Sequence, residues 1–225
     1  RLGVGPNSKV AVHLPNIPQT VIAASAILRL GAQTVMTNPL YVGREIEHQW
    51  TDAGCEVAVT ADFLYERVLR ERRATLPVRD YIIASIPEYL RFPLKQLAPL
   101  KLKKADPPLY AKVAPGEGIH FFAKLIAGTP AEPPEVAIDF QDLAMLQYTG
   151  GTTGLPKPIV QGHGGILLEH LKMAALHLDL KPGDRFFWYT STGWMMWNFL
   201  VGGLLAGTST ISSSSRLSAY ASAPA

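Results

Sequence analysis

The sequence predicts an α/β fold in parallel layers, and three observations lead there. Over residues 9–84, short strand-like runs alternate with longer helical runs, a rhythm that needs crossover connections and therefore parallel strands. Of the 225 residues, 48% are apolar and only 17% charged, enough to bury a core and too hydrophobic for a disordered chain. The punctuation agrees, because Gly31 and Gly54 follow helical runs while Pro15-Asn16 and Asn38-Pro39 close strand runs.

Taken in order, residues 9–14 alternate as a strand, and residues 17–30 form a helix stopped by Gly31. Residues 34–36 are a second strand and residues 43–53 a helix stopped by Gly54. Residues 56–60 form a third strand, residues 63–74 a charged surface helix and residues 80–84 a fourth strand. Prolines at 87, 93, 99, 107, 108, 115, 130, 133 and 134 then predict a long loop with at most short helices, such as one at 119–126. Order resumes with a strand at 142–147, a helix at 165–178, a strand at 185–190 and a helix at 194–205. The Ser/Ala-rich residues 208–225 have no periodic apolar face and are expected to be a disordered, low-complexity tail.

Composition narrows the function classes. The single cysteine, Cys55, excludes an intrachain disulfide framework and any Cys-rich zinc module, and fits a reducing compartment. A net charge of +3 does not argue for nucleic acid, and no nucleic-acid partner is expected. No apolar run is long enough to span a bilayer. The sequence opens without an initiating Met or a secretory leader, and the expectation is a soluble cytoplasmic piece of something longer. Charge is uneven, with ten Lys/Arg against three acids between Arg67 and Lys104. That stretch reads either as a solvated helix face with a loop or as a surface for anionic lipid headgroups at the inner membrane or for phosphates.

The chemistry concentrates after the 142–147 strand. Residues 149–157 hold three glycines (Gly150, Gly151, Gly154), three threonines (Thr149, Thr152, Thr153) and Lys157. Glycines let backbone N–H groups approach an anion closely, threonine hydroxyls add donors, and the lysine brings a mobile positive charge to phosphate oxygens. It is not a Walker A loop, which needs Gly-Lys-Ser/Thr opening a helix; here Pro156 and Pro158 flank Lys157 and keep the exit extended. The competing reading is a flexible Gly/Thr turn.

The run Tyr148-Thr-Gly-Gly-Thr-Thr-Gly-Leu-Pro-Lys157 resembles the signature phosphate loop of the adenylate-forming enzymes, which include acyl-CoA synthetases. Gly150 stands where the usual loop has Ser, as in the fatty-acyl ligase branch. Residues 1–149 resemble a long-chain fatty-acid–CoA ligase through His13-Leu-Pro-Asn-Ile-Pro-Gln19, Gly31-Ala32, Thr37-Asn-Pro-Leu-Tyr41 and Glu45-Ile-Glu-His-Gln49. Residues 154–206 resemble acetoacetyl-CoA synthetase through Leu155-Pro-Lys-Pro-Ile159, His163-Gly-Gly165, Leu168-Glu-His170, Asp184-Arg-Phe-Phe187 and Gly193-Trp-Met-Met-Trp-Asn198. The two likenesses meet inside residues 149–154, and a junction of two branches there is one reading.

The resemblance implies ATP-dependent activation of a carboxylic acid, either a fatty acid or acetoacetate, to an acyl-adenylate, then transfer to CoA with Mg2+ assisting. It implies an incomplete N-terminal adenylation domain at residues 1–207, followed by the tail at 208–225. The family's adenine and ribose motifs, magnesium carboxylate and C-terminal lysine match nothing in these residues, so no catalytic residue is assigned and the chain alone is expected to be inactive. A non-catalytic module binding polyphosphate or a membrane surface is the alternative.

Two other groupings stand out. His163, His170 and His177 recur every seven residues, but on the helix expected at 165–178 His170 and His177 sit about 10 Å apart, too far to share a metal ion, and no metal ligand is assigned. The aromatic group Phe186, Phe187, Trp188, Tyr189, Trp194 and Trp197 is expected to be core. Trp194 is the exception, assigned by resemblance to the wall of an acyl site.

Overall fold

Charge-free interiors of β-branched and small apolar residues build the central strands: β1 (Lys9–His13), β2 (Gln33–Met36), β3 (Val57–Ala61) and β4 (Asp80–Ala84). The computed structural model describes residues 2–132, 134–149 and 156–212. In it these strands run parallel with β5 (Ile119–Phe121) and β6 (Leu143–Tyr148), in the order β5-β4-β3-β1-β2-β6. Val10 is opposite Thr34 on one side and Val57 on the other. A seventh strand, β7 (Pro158–Gly162), joins β6 antiparallel.

Helices cover both faces, which is why the strands read as nearly continuous apolar runs. Helix α1 (Pro18–Arg29) packs Ala23, Ala24 and Ile27 on one face, against Val10, Val12, Val57 and Val59. Helix α2 (Gly43–Ala53) packs Ile46, Trp50 and Ala53 on the other, against Ala11, Ala58 and Tyr81. The start of α2 is fixed by the Val42 N–H donating to Glu45 Oε2 at 2.9 Å, which satisfies a backbone donor that the first turn leaves unpaired. Its end is Gly54 at φ 69°, a left-handed position where a side chain would be strained.

The expected charged helix at 63–74 begins as α3 (Asp62–Leu64) and continues as a wider π turn (Tyr65–Leu69) and a tighter 3-10 turn (Arg70–Arg72). It is less of a surface helix than its charge suggests, because Tyr65 and Leu69 are buried. The proline-rich stretch is more ordered than expected. It contains a ten-residue helix, α4 (Leu94–Lys103), which carries Pro99 inside it. The short strand β5 and helix α5 (Phe122–Ala127) follow. Proline removes one helical N–H but leaves the carbonyls of the next turn free to pair.

Beyond the hairpin come α6 (His163–Lys172), a π turn (Met173–His177), β8 (Arg185–Trp188), α7 (Met195–Gly202) and a 3-10 turn (Gly203–Ala206). The tail expectation fails at its start, because β9 (Ser209–Ser212) pairs in parallel with β8, Arg185 opposite Ser209. Backbone pairing needs no periodic side-chain pattern, and the Ser209 N–H donates to Asp184 O at 2.7 Å. Residues 213–225 lie outside the described residues. The aromatic expectation is also revised. Phe186 and Trp197 are buried, whereas Phe187, Trp188 and Tyr189 are exposed. Among the described residues no helix is long and apolar enough to cross a membrane.

Candidate functional site

The six parallel strands end along one edge of the sheet, the edge where open α/β sheets bind ligands. The glycine-rich run leaves from that edge. It joins β6 to β7, with Tyr148 opposite Pro158 and Gln147 opposite Ile159. The Thr149 N–H donates to Lys157 O at 3.0 Å, and the Lys157 N–H donates to Thr149 Oγ1 at 3.1 Å. Two bonds therefore close the base of the loop. Gly150, Gly151, Thr152, Thr153 and Gly154 lie outside the described residues. The Thr149 hydroxyl accepts at the base and keeps its own proton to donate elsewhere. Lys157 is exposed, and among the described residues its ammonium has no carboxylate partner.

Helix α2 braces both shoulders of this loop. Tyr148 Oη donates to Asp52 Oδ2 at 2.6 Å, and His48 Nε2 lies 3.3 Å from Pro156 O. A carbonyl oxygen only accepts, so His48 carries its proton on Nε2. His48 and Asp52 are four residues apart, hence neighbours on one helix face. Burial raises the Tyr148 phenol above its ordinary pKa, and the bond to Asp52 raises it further. Sequence reading missed this pair. The signal was a His and an Asp at helical spacing, which reads as ordinary surface until its partner strand is known.

The segment before α7 is latched to the same edge. Thr192 Oγ1 donates to Leu14 O at 2.6 Å, Asn16 Nδ2 to Thr190 O at 2.7 Å and Gln147 Nε2 to Gly193 O at 3.0 Å. Gly193 has no room for a side chain, since an added Cβ would sit 2.5 Å from Asn38 Cβ and 2.7 Å from Asn38 Cα. Asn198 Nδ2 donates to Met145 Sδ at 2.8 Å and meets Gln147 Oε1 at 3.4 Å, while its own Oδ1 is buried without a partner among the described residues.

Trp194 stands at the start of α7 and is 66% exposed. Two apolar cavities lie beside α7, and Trp194 lines neither. The first, of about 680 Å3, is walled by Ile166, His170, Met173, Trp188, Met195 and Phe199. The second, of about 560 Å3, is walled by Leu28, Met145, Ile166, His170, Trp197 and Asn198. His170 lines both, as Ile166 and Asn198 do, and packs so closely on Gly202 that an added Cβ there would meet its Nδ1 at 2.6 Å. Burial pushes the His170 pKa down, against the pull of Glu169.

A buried polar group sits beside the same edge. His13 is fully enclosed, with Nδ1 3.2 Å from Thr60 Oγ1 and its ring edge-on to Trp50. Burial, then Arg67, lowers its pKa to about 3. Asp62 accepts from Ser85 Oγ at 2.7 Å and from the Phe63 N–H at 2.7 Å. Burial nevertheless raises its pKa to about 6.

The candidate site is thus a parallel sheet with a hairpin braced at its carboxyl edge and, beside it, a lysine without a carboxylate partner among the described residues. The chain belongs to the AMP-binding enzyme family, whose model matches residues 1–220. It is 40% identical over 184 residues to the long-chain-fatty-acid–CoA ligase of Bacillus subtilis (strain 168), covering 80% of this chain and 32% of that protein. It is 29% identical over 207 residues to the acetoacetyl-coenzyme A synthetase of Rhizobium meliloti (strain 1021), covering 91% of this chain and 30% of that one. The acetoacetyl-CoA synthetase from Streptomyces lividans superposes with a TM-score of 0.76 at 39% identity, covering 94% of this chain and 30% of that chain. The chain thus spans about a third of the length of the curated relatives it matches.

Proposed function

We propose that this chain is the polyphosphate-holding part of an ATP-dependent acyl-CoA synthetase, and that it is inactive alone. The observation that carries this is the hairpin at the carboxyl edge, closed by Thr149 and Lys157 and braced from α2. In the reaction a carboxylate attacks the α-phosphate of ATP, giving an acyl-adenylate and pyrophosphate; the CoA thiol then takes the acyl group and AMP leaves. The adenylyl group would come from ATP bound with Mg2+. This chain's part is to hold and orient it. The Lys157 ammonium would neutralise phosphate oxygens, while Thr149, Gly150, Gly151, Thr152, Thr153 and Gly154 would present hydroxyl and backbone donors. Trp194 is assigned to the acyl side of the site; its neighbour Gly193, pressed on Asn38, sets it at the same edge.

Acetoacetate is the favoured carboxylate, because the likeness to the Streptomyces lividans protein runs across 94% of the chain at 39% identity. A fatty acid is the second reading, supported by 40% identity to the Bacillus subtilis ligase. The adenylation-domain part is taken as residues 1–207, and a junction of the two branches at 149–154 would appear in the coding DNA as two halves with different nearest matches.

The test is a titration of the folded chain with tripolyphosphate. Lys157→Ala is expected to weaken binding by about 1.5–3 kcal/mol, the scale of a hydrogen bond to a charged group. Binding should also fall with salt, because exposed charges are screened over about 8–10 Å at physiological ionic strength. No CoA thioester is expected from the chain alone with either acid. An unchanged affinity in the lysine variant, or turnover that survives purification, contradicts the proposal.

A further inference from the structure

Helix α4 is unlike the other long helices of the described residues, because none of its residues is buried. Phe92 just before it is 81% exposed, and Leu94, Leu97 and Leu100 are 59%, 55% and 66% exposed. At about 100° per residue those three leucines fall within an arc of about 120°. Leu102 lies well round from that arc and packs, partly buried, on the α1-side core. The Leu109 N–H donates to Leu102 O at 2.9 Å and ties the end of the helix down. The helix is thus held by one side and offers the other, apolar side to solvent.

Charge surrounds this arc. Residues 91–104 contain Arg91, Lys95, Lys101, Lys103 and Lys104 and no acidic residue. All five cations are exposed, and none is in an ion pair among the described residues. Lys101 falls inside the leucine arc, where a long stem can lie along apolar groups while its ammonium reaches outward.

We propose that residues 91–104 dock the protein on an anionic lipid surface. The leucines and Phe92 would enter the boundary between headgroups and acyl chains, and the five cations would meet lipid phosphates. The charge pattern selects this occupant. A second copy of the chain would bring five cations against five, and like charges in contact oppose pairing. A nucleic acid would satisfy the cations and leave the leucines in water. The proposal is independent of the phosphate-loop reading, since α4 takes no part in the bonds that frame the loop.

The experiment is vesicle co-sedimentation of the 225-residue chain, with phosphatidylcholine vesicles and with phosphatidylcholine–phosphatidylglycerol vesicles. Binding to the mixed vesicles is expected, falling at least about tenfold on neutral vesicles and weakening with salt. Replacing Lys101, Lys103 and Lys104 with Gln should reduce binding about a hundredfold, at about fivefold per cation. The pair Leu97→Asp and Leu100→Asp should abolish it with the urea-unfolding midpoint unchanged, because neither side chain is buried. Should that pair fold poorly, the three-lysine variant, altered only at exposed positions, decides. Absence of vesicle binding, equal binding to both vesicle types, or binding unchanged in the lysine variant overturns the proposal. So does self-association of the parent chain that the leucine pair removes without any vesicle binding, which would assign the face to a second copy.

Discussion

The parallel layer and the segment after the loop use their large apolar residues in opposite ways. In the layer, Trp50, Tyr81, Met36, Ile46 and Leu64 are fully enclosed, and even polar His13, Gln19 and Gln49 are taken inside. After the loop, Leu168, Leu176, Phe187, Trp188, Tyr189 and Trp194 are exposed, and α7 buries chiefly Trp197 and Leu200. The layer is held by two cores packed on both faces of a sheet. The later segment is held to it by Trp197, which joins the α1-side core, and by a few directed bonds: Thr192 to Leu14, Asn16 to Thr190, Gln147 to Gly193 and Asn198 to Met145. Burial of apolar area is strong and non-directional, whereas each hydrogen bond contributes only about 0.5–1.5 kcal/mol net. The layer therefore carries most of the stability, and the later segment adds Trp197 to it and is otherwise positioned by directed bonds.

The largest effect that separates the two regions is expected from tryptophan truncation. Trp50→Ala empties a buried site and removes the bond from Nε1 to Thr37 Oγ1, at 2.9 Å; it should cost about 3–5 kcal/mol in urea unfolding. Trp194→Ala, at an exposed position, should change stability by about 0.5 kcal/mol or less. Equal losses at the two sites would erase the distinction. Next comes Gly193→Ala, which drives a methyl group into Asn38 and should cost about 1–3 kcal/mol. Its signature is local. Trypsin should cut faster at Lys172 and Arg185 while cleavage within the layer stays slow, and uniform acceleration would show that the two regions unfold as one.

The third effect lies inside the layer and depends on pH. The folded His13 pKa, about 3 against an ordinary 6.5, means that the unfolded chain takes up the proton first on acidification. Its contribution to stability falls as pH drops through that window. Asp62 is the reverse, at about 6 folded against 3.8, so the folded chain takes up its proton first and its contribution rises as pH drops from 6 to 3.8. Each slope reaches about 1.4 kcal/mol per pH unit, and where the windows overlap the two oppose each other. His13→Gln leaves the Asp62 slope alone. Its stability relative to the parent should increase on acidification below pH 6.5, read from urea midpoints across that range, and a constant offset would contradict the buried neutral histidine.

The smallest effect is at the loop brace. Tyr148→Phe removes the bond to the exposed Asp52 carboxylate and should cost about 1 kcal/mol of stability. It should weaken tripolyphosphate binding without altering the trypsin pattern of the later segment. An unchanged affinity would mean that α2 supports the sheet without setting the loop.

Legibility in the sequence followed the range of the interaction. The strands at 9–13, 33–36, 57–61 and 80–84 were readable within a residue or two, because β-branched runs and their closing Gly or Pro-Asn signals are local. Helix 43–53 was readable to its ends, since Gly54 imposes the stop. Helix α4 was hidden by Pro93 and Pro99, whose breaking tendency outweighs a leucine spacing that meets no core. β7 and β9 were missed because their edges are defined by partners, β6 and β8, rather than by their own side chains. The same holds for the site. The glycines, threonines and Lys157 raise phosphate binding as an expectation from composition alone, whereas His48 and Asp52 make their contacts across 108 and 96 residues of chain and had no local signature.

The central claim, that the braced hairpin is a polyphosphate cradle, is tested most directly by calorimetric competition between tripolyphosphate and AMP on a chain shown to unfold cooperatively. On that proposal Lys157 and the loop donors would address a chain of phosphates without using the base, so tripolyphosphate should bind, ATP should compete with it almost equally, and AMP should bind far more weakly. AMP binding as tightly as tripolyphosphate would contradict the account.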